Sequence, residues 1–202
     1  MRAQALAAAV VLLTPLMLGG CASLSKEQCQ SGNWREIGQA DGAAGEPASQ
    51  IAEHAKACES YGVAPNVAAY EAGRALGLQS YCTPASGFVQ GREGNSYAGV
   101  CPPATAGAFQ SGYVLGRQIY DAGEVVRRAE SRVSDLENQL RRLEDEVAKA
   151  CSINPAGCSG LKQAQSSRRD GLRRQLDRAQ WDLSDARNRA AILEASVLSQ
   201  MR

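Results

Sequence analysis

Apolar positions in the last third of the chain recur with a helical beat. Val126, Ala129, Val133, Leu136, Leu140, Leu143, Val147 and Ala150 follow one another in alternating steps of three and four. Leu172, Leu176, Ala179, Leu183, Ala186, Ala190, Leu193 and Val197 repeat the rhythm. Such heptads place a narrow apolar seam on each helix and leave the charged residues facing water. Between the two series, Pro155 and Gly157 break any continuous helix, which predicts an antiparallel α-hairpin over residues 124–202. Its second arm, Leu161 to Ser199, is longer than a first arm starting at Glu124. The first helix is therefore expected to begin earlier, near Thr105 after Pro102-Pro103, and to run through Phe109 and Tyr113.

Residues 27–123 read differently. Fifteen of the 20 glycines fall between Gly32 and Gly123, where apolar positions are short and interrupted. The fold class expected is mainly α: a small glycine-rich helical core followed by the long hairpin coiled coil. A short β-hairpin is expected within Gly87–Cys101, turning at Arg92-Glu93-Gly94-Asn95. Within the core, Tyr70-Glu-Ala-Gly73-Arg74 is echoed by Tyr113-Val-Leu-Gly116-Arg117, and small residues stand four apart at Gly73/Gly77 and Gly112/Gly116. Glycine costs about 1 kcal/mol in a helix interior, so its repetition signals close backbone approach. The plain reading packs these two helices against each other. The sharper one makes Arg74 and Arg117 anion ligands rimmed by Tyr70 and Tyr113.

The N-terminus carries its own pattern. Met1-Arg2 precedes the apolar run Ala5 to Leu13, too short for a permanent span, and Thr14-Pro15 closes it. Leu18-Gly19-Gly20-Cys21 follows and resembles the lipobox of bacterial lipoproteins. That resemblance implies a signal peptide over residues 1–20, diacylglycerol on the Cys21 sulfur, acylation (palmitate) of the freed amine, and a lipidated linker over 21–26. Two or three acyl chains make a permanent membrane anchor where one does not. Ala22, where Asp would retain such a protein in the inner membrane, implies the inner leaflet of the outer membrane, facing the periplasm.

Export changes the reading of the cysteines. With Cys21 lipidated, six remain, and an even number in an oxidising compartment reads as disulfides. Of the 15 possible connectivities, we read the sequential one: Cys29–Cys58, Cys82–Cys101 and Cys151–Cys158, the last stapling the hairpin tip. His54, four residues before Cys58, could share a helix face with it and ligate zinc, but no C-x-x-C accompanies the pair, so no metal or other cofactor is expected.

Trp34, Gly38-x-x-Asp41-Gly42-x-x-Gly45, Cys58, Gly62-Val63, Tyr70-x-x-Gly73-Arg74-x-x-Gly77-Leu78-x-x-Tyr81-Cys82, Tyr97-x-x-Val100-Cys101-Pro102 and Tyr113-x-x-Gly116-Arg117 together resemble the proteobacterial lipoprotein family known as domain of unknown function 2799. The resemblance spans roughly residues 27–123 and brings no catalytic residues with it.

Charge and motifs then narrow the function. Without Arg2, 21 basic residues face 21 acidic ones, which argues against nucleic-acid binding. A Ser/His/Asp triad would have to use His54, and no G-x-S-x-G elbow or phosphate-binding loop is present. No catalytic constellation is recognisable, and the chain is not expected to be an enzyme. The expected role is a membrane-anchored binding or scaffolding module, with a small-ligand or hydrolase site around Arg74 and Arg117 as the alternative. Residues 124–202 hold 15 basic and 12 acidic side chains against six and nine in 22–123. Folding the hairpin gathers Arg141, Arg142 and Lys149 near Lys162, Arg168, Arg169, Arg173 and Arg174. This basic patch, centred on Arg168, Arg169, Arg173 and Arg174, would suit an anionic envelope component or an envelope protein.

Overall fold

The computed structural model describes residues 23–201; Cys21 and the segment read as a signal peptide lie outside them. Seven α-helices follow in order: α1 Lys26–Ser31, α2 Trp34–Ala44, α3 Gln50–Glu59, α4 Val67–Tyr81, α5 Pro84–Arg92, α6 Pro103–Ile153 and α7 Cys158–Gln200. Their starts follow local chemistry. Ser25 and Gln28 form a reciprocal capping box on α1, Asn66 accepts the Ala69 N–H at the head of α4, and Thr83 accepts the Ser86 N–H beside Pro84 on α5. Gly32 and Gly45 end α1 and α2 in the left-handed conformation that a Cβ disfavours.

The expected β-hairpin is not there: no strand occurs among the described residues. Residues 84–92 are helix α5, started by the Thr83 cap and proline, and 93–101 is a turn and an extended return to Cys101. Glycines 87 and 91, which suggested a ribbon, lie four apart on one helix face instead.

The helical core is built from glycine crossings. α4 packs on α2, and α6 on α5. A methyl on Gly38 or Gly42 would be driven into the carbonyl oxygen of Tyr70 or Arg74; one on Gly73 or Gly77 would strike the carbonyl of Arg35 or Gln39. The second crossing repeats this. Gly87 and Gly91 face the carbonyls of Phe109 and Tyr113, while Gly112 and Gly116 face those of Pro84 and Phe88. Where a methyl would stand, a Cα–H meets the carbonyl, a weak bond of about 0.5–1 kcal/mol each.

The expectation that the Gly73 and Gly112 helices pack on each other through these glycines is corrected: each has its own partner. The nearest contact of each glycine in the first crossing maps onto the second by adding 49 to the α2 residue and 39 to the α4 residue. The map extends to the ends: the Tyr81 ring fills the space beside Gly45 as Tyr120 does beside Gly94. The base is thus two copies of one unit. The sequence echo placed Tyr70 on Tyr113, but the structural equivalent of Tyr70 is Phe109 and that of Arg74 is Tyr113.

Each copy has one disulfide joining the segments that lead into its crossed helices. Cys29–Cys58 lies in a cluster with Leu24, Trp34 and Tyr70, and Cys82–Cys101 in one with Leu78, Tyr81 and Phe109. Such cross-links act largely by restricting the unfolded chain.

From the second crossing α6 continues without a break through residues 123 and 124. It starts at Pro103, two residues before the expected Thr105. Beyond the base, Leu136, Leu143, Leu172 and Ala179 form the buried seam, supported by Val133, Leu140, Val147 and Leu176. Glu130 pairs with Arg187 and Glu144 with Arg173. The two bridges are 14 residues apart on either arm, two full heptads, and so keep the antiparallel register that the buried seam sets. A turn at Pro155–Gly157 reverses the chain, and Cys151–Cys158 closes it. At its far end α7 returns to the base, where Glu194 meets Arg92 of α5.

The crossings yield a direct test by denaturant unfolding with the disulfides intact. Gly42→Ala and Gly91→Ala, as equivalent positions, should each lower the unfolding free energy by about 3 kcal/mol, because backbones rather than side chains must separate. Gly171→Ala, whose added methyl meets nothing within 4 Å, should instead raise it by about 0.5–1 kcal/mol.

Candidate functional site

The two copies differ most in what lies over the crossing. In the second copy Tyr97, four residues before Cys101, lies 4.5 Å from Phe109 between ring centroids; Phe109 in turn stacks on Tyr81 at 5.0 Å. Its hydroxyl accepts the Cys101 N–H at 3.1 Å. In the first copy His54 holds the corresponding place four residues before Cys58, Tyr70 replaces Phe109, and Asp41 stands where the second copy has Gln90. An aromatic stack has become a polar network.

That network is buried and tightly connected. His54 on α3 is 2% exposed. Its Nε2 lies 2.8 Å from Asp41 Oδ2, and Tyr70 on α4 donates its hydroxyl to the same oxygen at 2.6 Å. The carboxylate is an acceptor, so His54 Nε2 carries the proton that it donates. In the neutral ring Nδ1 then accepts the hydroxyl of Ser23, 2.9 Å away. Burial, then the hydrogen bond to Asp41 and its charge, push the Tyr70 hydroxyl well above the ordinary tyrosine range. Tyr81 is raised as well, chiefly by burial.

The order hydroxyl, imidazole, carboxylate is that of a catalytic triad, but Nε2 faces the carboxylate and Nδ1 the hydroxyl, the reverse of the serine-protease arrangement. The serine here is exposed, in a bend ahead of α1 beside Leu24, whose side chain is buried in the first core cluster. What the geometry does is tie that bend to the base: Ser23 is hydrogen-bonded to a histidine held in turn by α2 and α4 through Asp41 and Tyr70.

Of the other residues singled out in the sequence, Arg74 and Arg117 fall in different copies. Arg74 donates from a terminal nitrogen to the Glu46 carbonyl at 2.6 Å, while its Nε is buried without a partner. Tyr113 holds the equivalent carbonyl, that of Asn95, at 2.7 Å. Arg117 donates to the Gly94 carbonyl and to Asp121, and its guanidinium lies 4.7 Å from the centre of the Tyr120 ring. Each of these side chains braces the turn after a left-handed glycine, and Tyr70 points to Asp41, so the four do not line one cleft. Arg74 and Tyr70 do share a shallow groove with Ile51 and Leu78. Cys58 is spent in its disulfide, and no group of potential metal ligands occurs among the described residues. On the hairpin, Arg173 pairs with Glu144 and Arg169 lies 3.5 Å from Asp170, while Arg168 and Arg174 are exposed.

The network predicts two measurable costs. Asp41→Ala strands the buried Tyr70 and His54 donors and should lower the unfolding free energy by about 3 kcal/mol, against about 1 kcal/mol for Tyr70→Phe. Because the folded state raises the Tyr70 pKa above its ordinary value of 10, the stability it contributes is complete below pH 10 and is lost as pH rises beyond it. Urea unfolding between pH 8 and 11 should show that decline in the wild type and a shallower one in Tyr70→Phe.

No curated protein and no solved structure matches this chain. Residues 33–118 match the family described as "Protein of unknown function (DUF2799)". The matched segment opens just before α2 and closes just after Gly116, so in this chain it covers both glycine crossings.

Proposed function

We propose that this protein is a lipid-anchored lipoprotein of the bacterial envelope. In this reading the base sits against the outer membrane and the hairpin serves as a non-enzymatic binding or scaffolding arm reaching into the periplasm. The observation that carries it is the continuity of α6, one helix that passes from the second glycine crossing into the stapled hairpin. With α7 spanning about 64 Å at 1.5 Å per residue, the molecule has the form of a rod rooted in a rigid base. The Ser23–His54 contact supports the anchoring half, since it brings the chain two residues after Cys21 onto that base. No helix among the described residues is long and apolar enough to cross a membrane, so attachment in this reading rests on the lipid.

The arm's far half supports a contact with an anionic envelope component. Beside the tip, a groove of about 370 Å³ is lined by Leu143, Glu144 and Val147 of α6 and by Lys162, Gln165 and Arg169 of α7. The exposed Arg168 and Arg174 lie on the same stretch of α7.

Palmitate labelling should tag the wild type and not Cys21→Ser; an untagged protein with residues 1–20 intact would sink the anchoring half. For the arm, a lipid-free form beginning at residue 22 should sediment with phosphatidylglycerol vesicles. Changing Arg168, Arg169, Arg173 and Arg174 to Gln should weaken this several-fold, and an unchanged pellet would remove the basic patch from the reading.

A further inference from the structure

A second surface of the hairpin has no part in the basic end. Near the base, a groove of about 500 Å³ runs between α6 and α7, lined by Ala122 and Val125 on one side and on the second by Trp181, Asp185, Arg189 and Leu193, with Asp182 at its edge beside the indole. Its apolar walls face solvent: Trp181 is 67% exposed and Val125 51%, and Ile192, eleven residues from Trp181 and so on nearly the same face, is 71% exposed. A tryptophan left in water on a helix that already has a complete heptad seam marks a contact surface.

The order of side chains identifies the occupant. Trp181, Asp185, Arg189 and Leu193 stand four residues apart, so they form one continuous ridge along α7. Turned end for end, the ridge is its own complement: tryptophan meets leucine, aspartate meets arginine, and the same pairs recur on the other side of the axis. Within one chain Arg189 already reaches back to Asp185, and a reversed copy would bring two such pairs together as a four-charge cluster. A two-fold contact needs this kind of self-complementarity, and an unrelated partner does not. Ala186, Ala190 and Leu193 are positions of the α7 seam that here lie half-buried in the groove, and the two alanines leave room beside the ridge for the incoming indole.

We propose that the protein forms a symmetric dimer through this face, α7 against α7 in opposite directions, with Trp181 of each copy seated by Leu193 and Ala190 of the other. The dimer does not depend on the lipid anchor or on the basic tip, which lies at the other end of the hairpin.

The test is sedimentation equilibrium of the full chain purified from its envelope in density-matched detergent, using two charge variants alone and mixed. Asp185→Arg makes both ridge positions basic and Arg189→Asp makes both acidic, so each variant alone sets like charges across the axis. Each should dimerise at least about tenfold more weakly than wild type. Mixed in equal amounts, they should form a heterodimer near wild-type strength. Both chains keep their internal like-charge mismatch in that mixture, so recovery can come only from pairing between chains. Circular dichroism of each variant establishes that the hairpin still folds, and Trp181→Ala should weaken all of these associations. A wild type that stays monomeric at every concentration, a mixture no stronger than its parts, or Trp181-dependent binding to neutral vesicles without dimerisation would overturn the proposal.

Discussion

Contact between helix backbones at paired glycines is the constraint on which the rest of this structure depends. Eight glycines, four per crossing, bring Cα–H groups onto carbonyl oxygens, and a side chain at any of them would hold the helices apart. The approach leaves little room for a conventional apolar core, which is why the large buried residues sit at the margins of the crossings, as Tyr70, Phe109, Trp34 and Tyr81 do. A base so short of buried area gains from covalent help, and each crossing has one disulfide beside it.

Once a unit of this kind is doubled, its copies are free to diverge wherever the crossing itself is not involved. The second copy keeps aromatic packing over its glycines, and its α6 grows into the rod. The first exchanges those rings for Asp41, His54 and Tyr70 and receives the beginning of the described chain. The same architecture therefore carries a buried polar network in one copy and a long extension in the other, and the differences are concentrated in those side chains, in the added helix α3 and in the length of α6.

Much of this was legible in the residues. The heptads gave the hairpin, its turn and its seam, because a repeat sustained over many turns overrides local ambiguity. The glycine pairs on α4 and α6 announced close approach, but not toward which helix, since Gly38/Gly42 and Gly87/Gly91 lie in segments too short to show a periodic apolar face. The duplication was hidden by α3. Gly73 follows Gly38 by 35 residues whereas Gly112 follows Gly87 by 25, and the ten extra residues, the length of α3, destroy any single period. Aligning on the Gly-Arg echoes then matched Tyr70 to Tyr113, one helical turn out of step. Gly87 to Cys101 misled for a related reason: glycine and polar residues suggest a ribbon when the helix they belong to derives its stability from a neighbour. His54 was visible as the lone histidine, but its partners come from Ser23, Asp41 and Tyr70, which only the crossing brings together.

The two inter-arm bridges have a consequence for size. Because Glu130–Arg187 and Glu144–Arg173 recur at a whole number of heptads, adding or deleting seven residues in each arm would preserve the seam, the charge register and the stapled loop. The rod is then a molecular ruler graduated in steps of roughly 10 Å. Its length could be reset in such steps without disturbing the doubly crossed base.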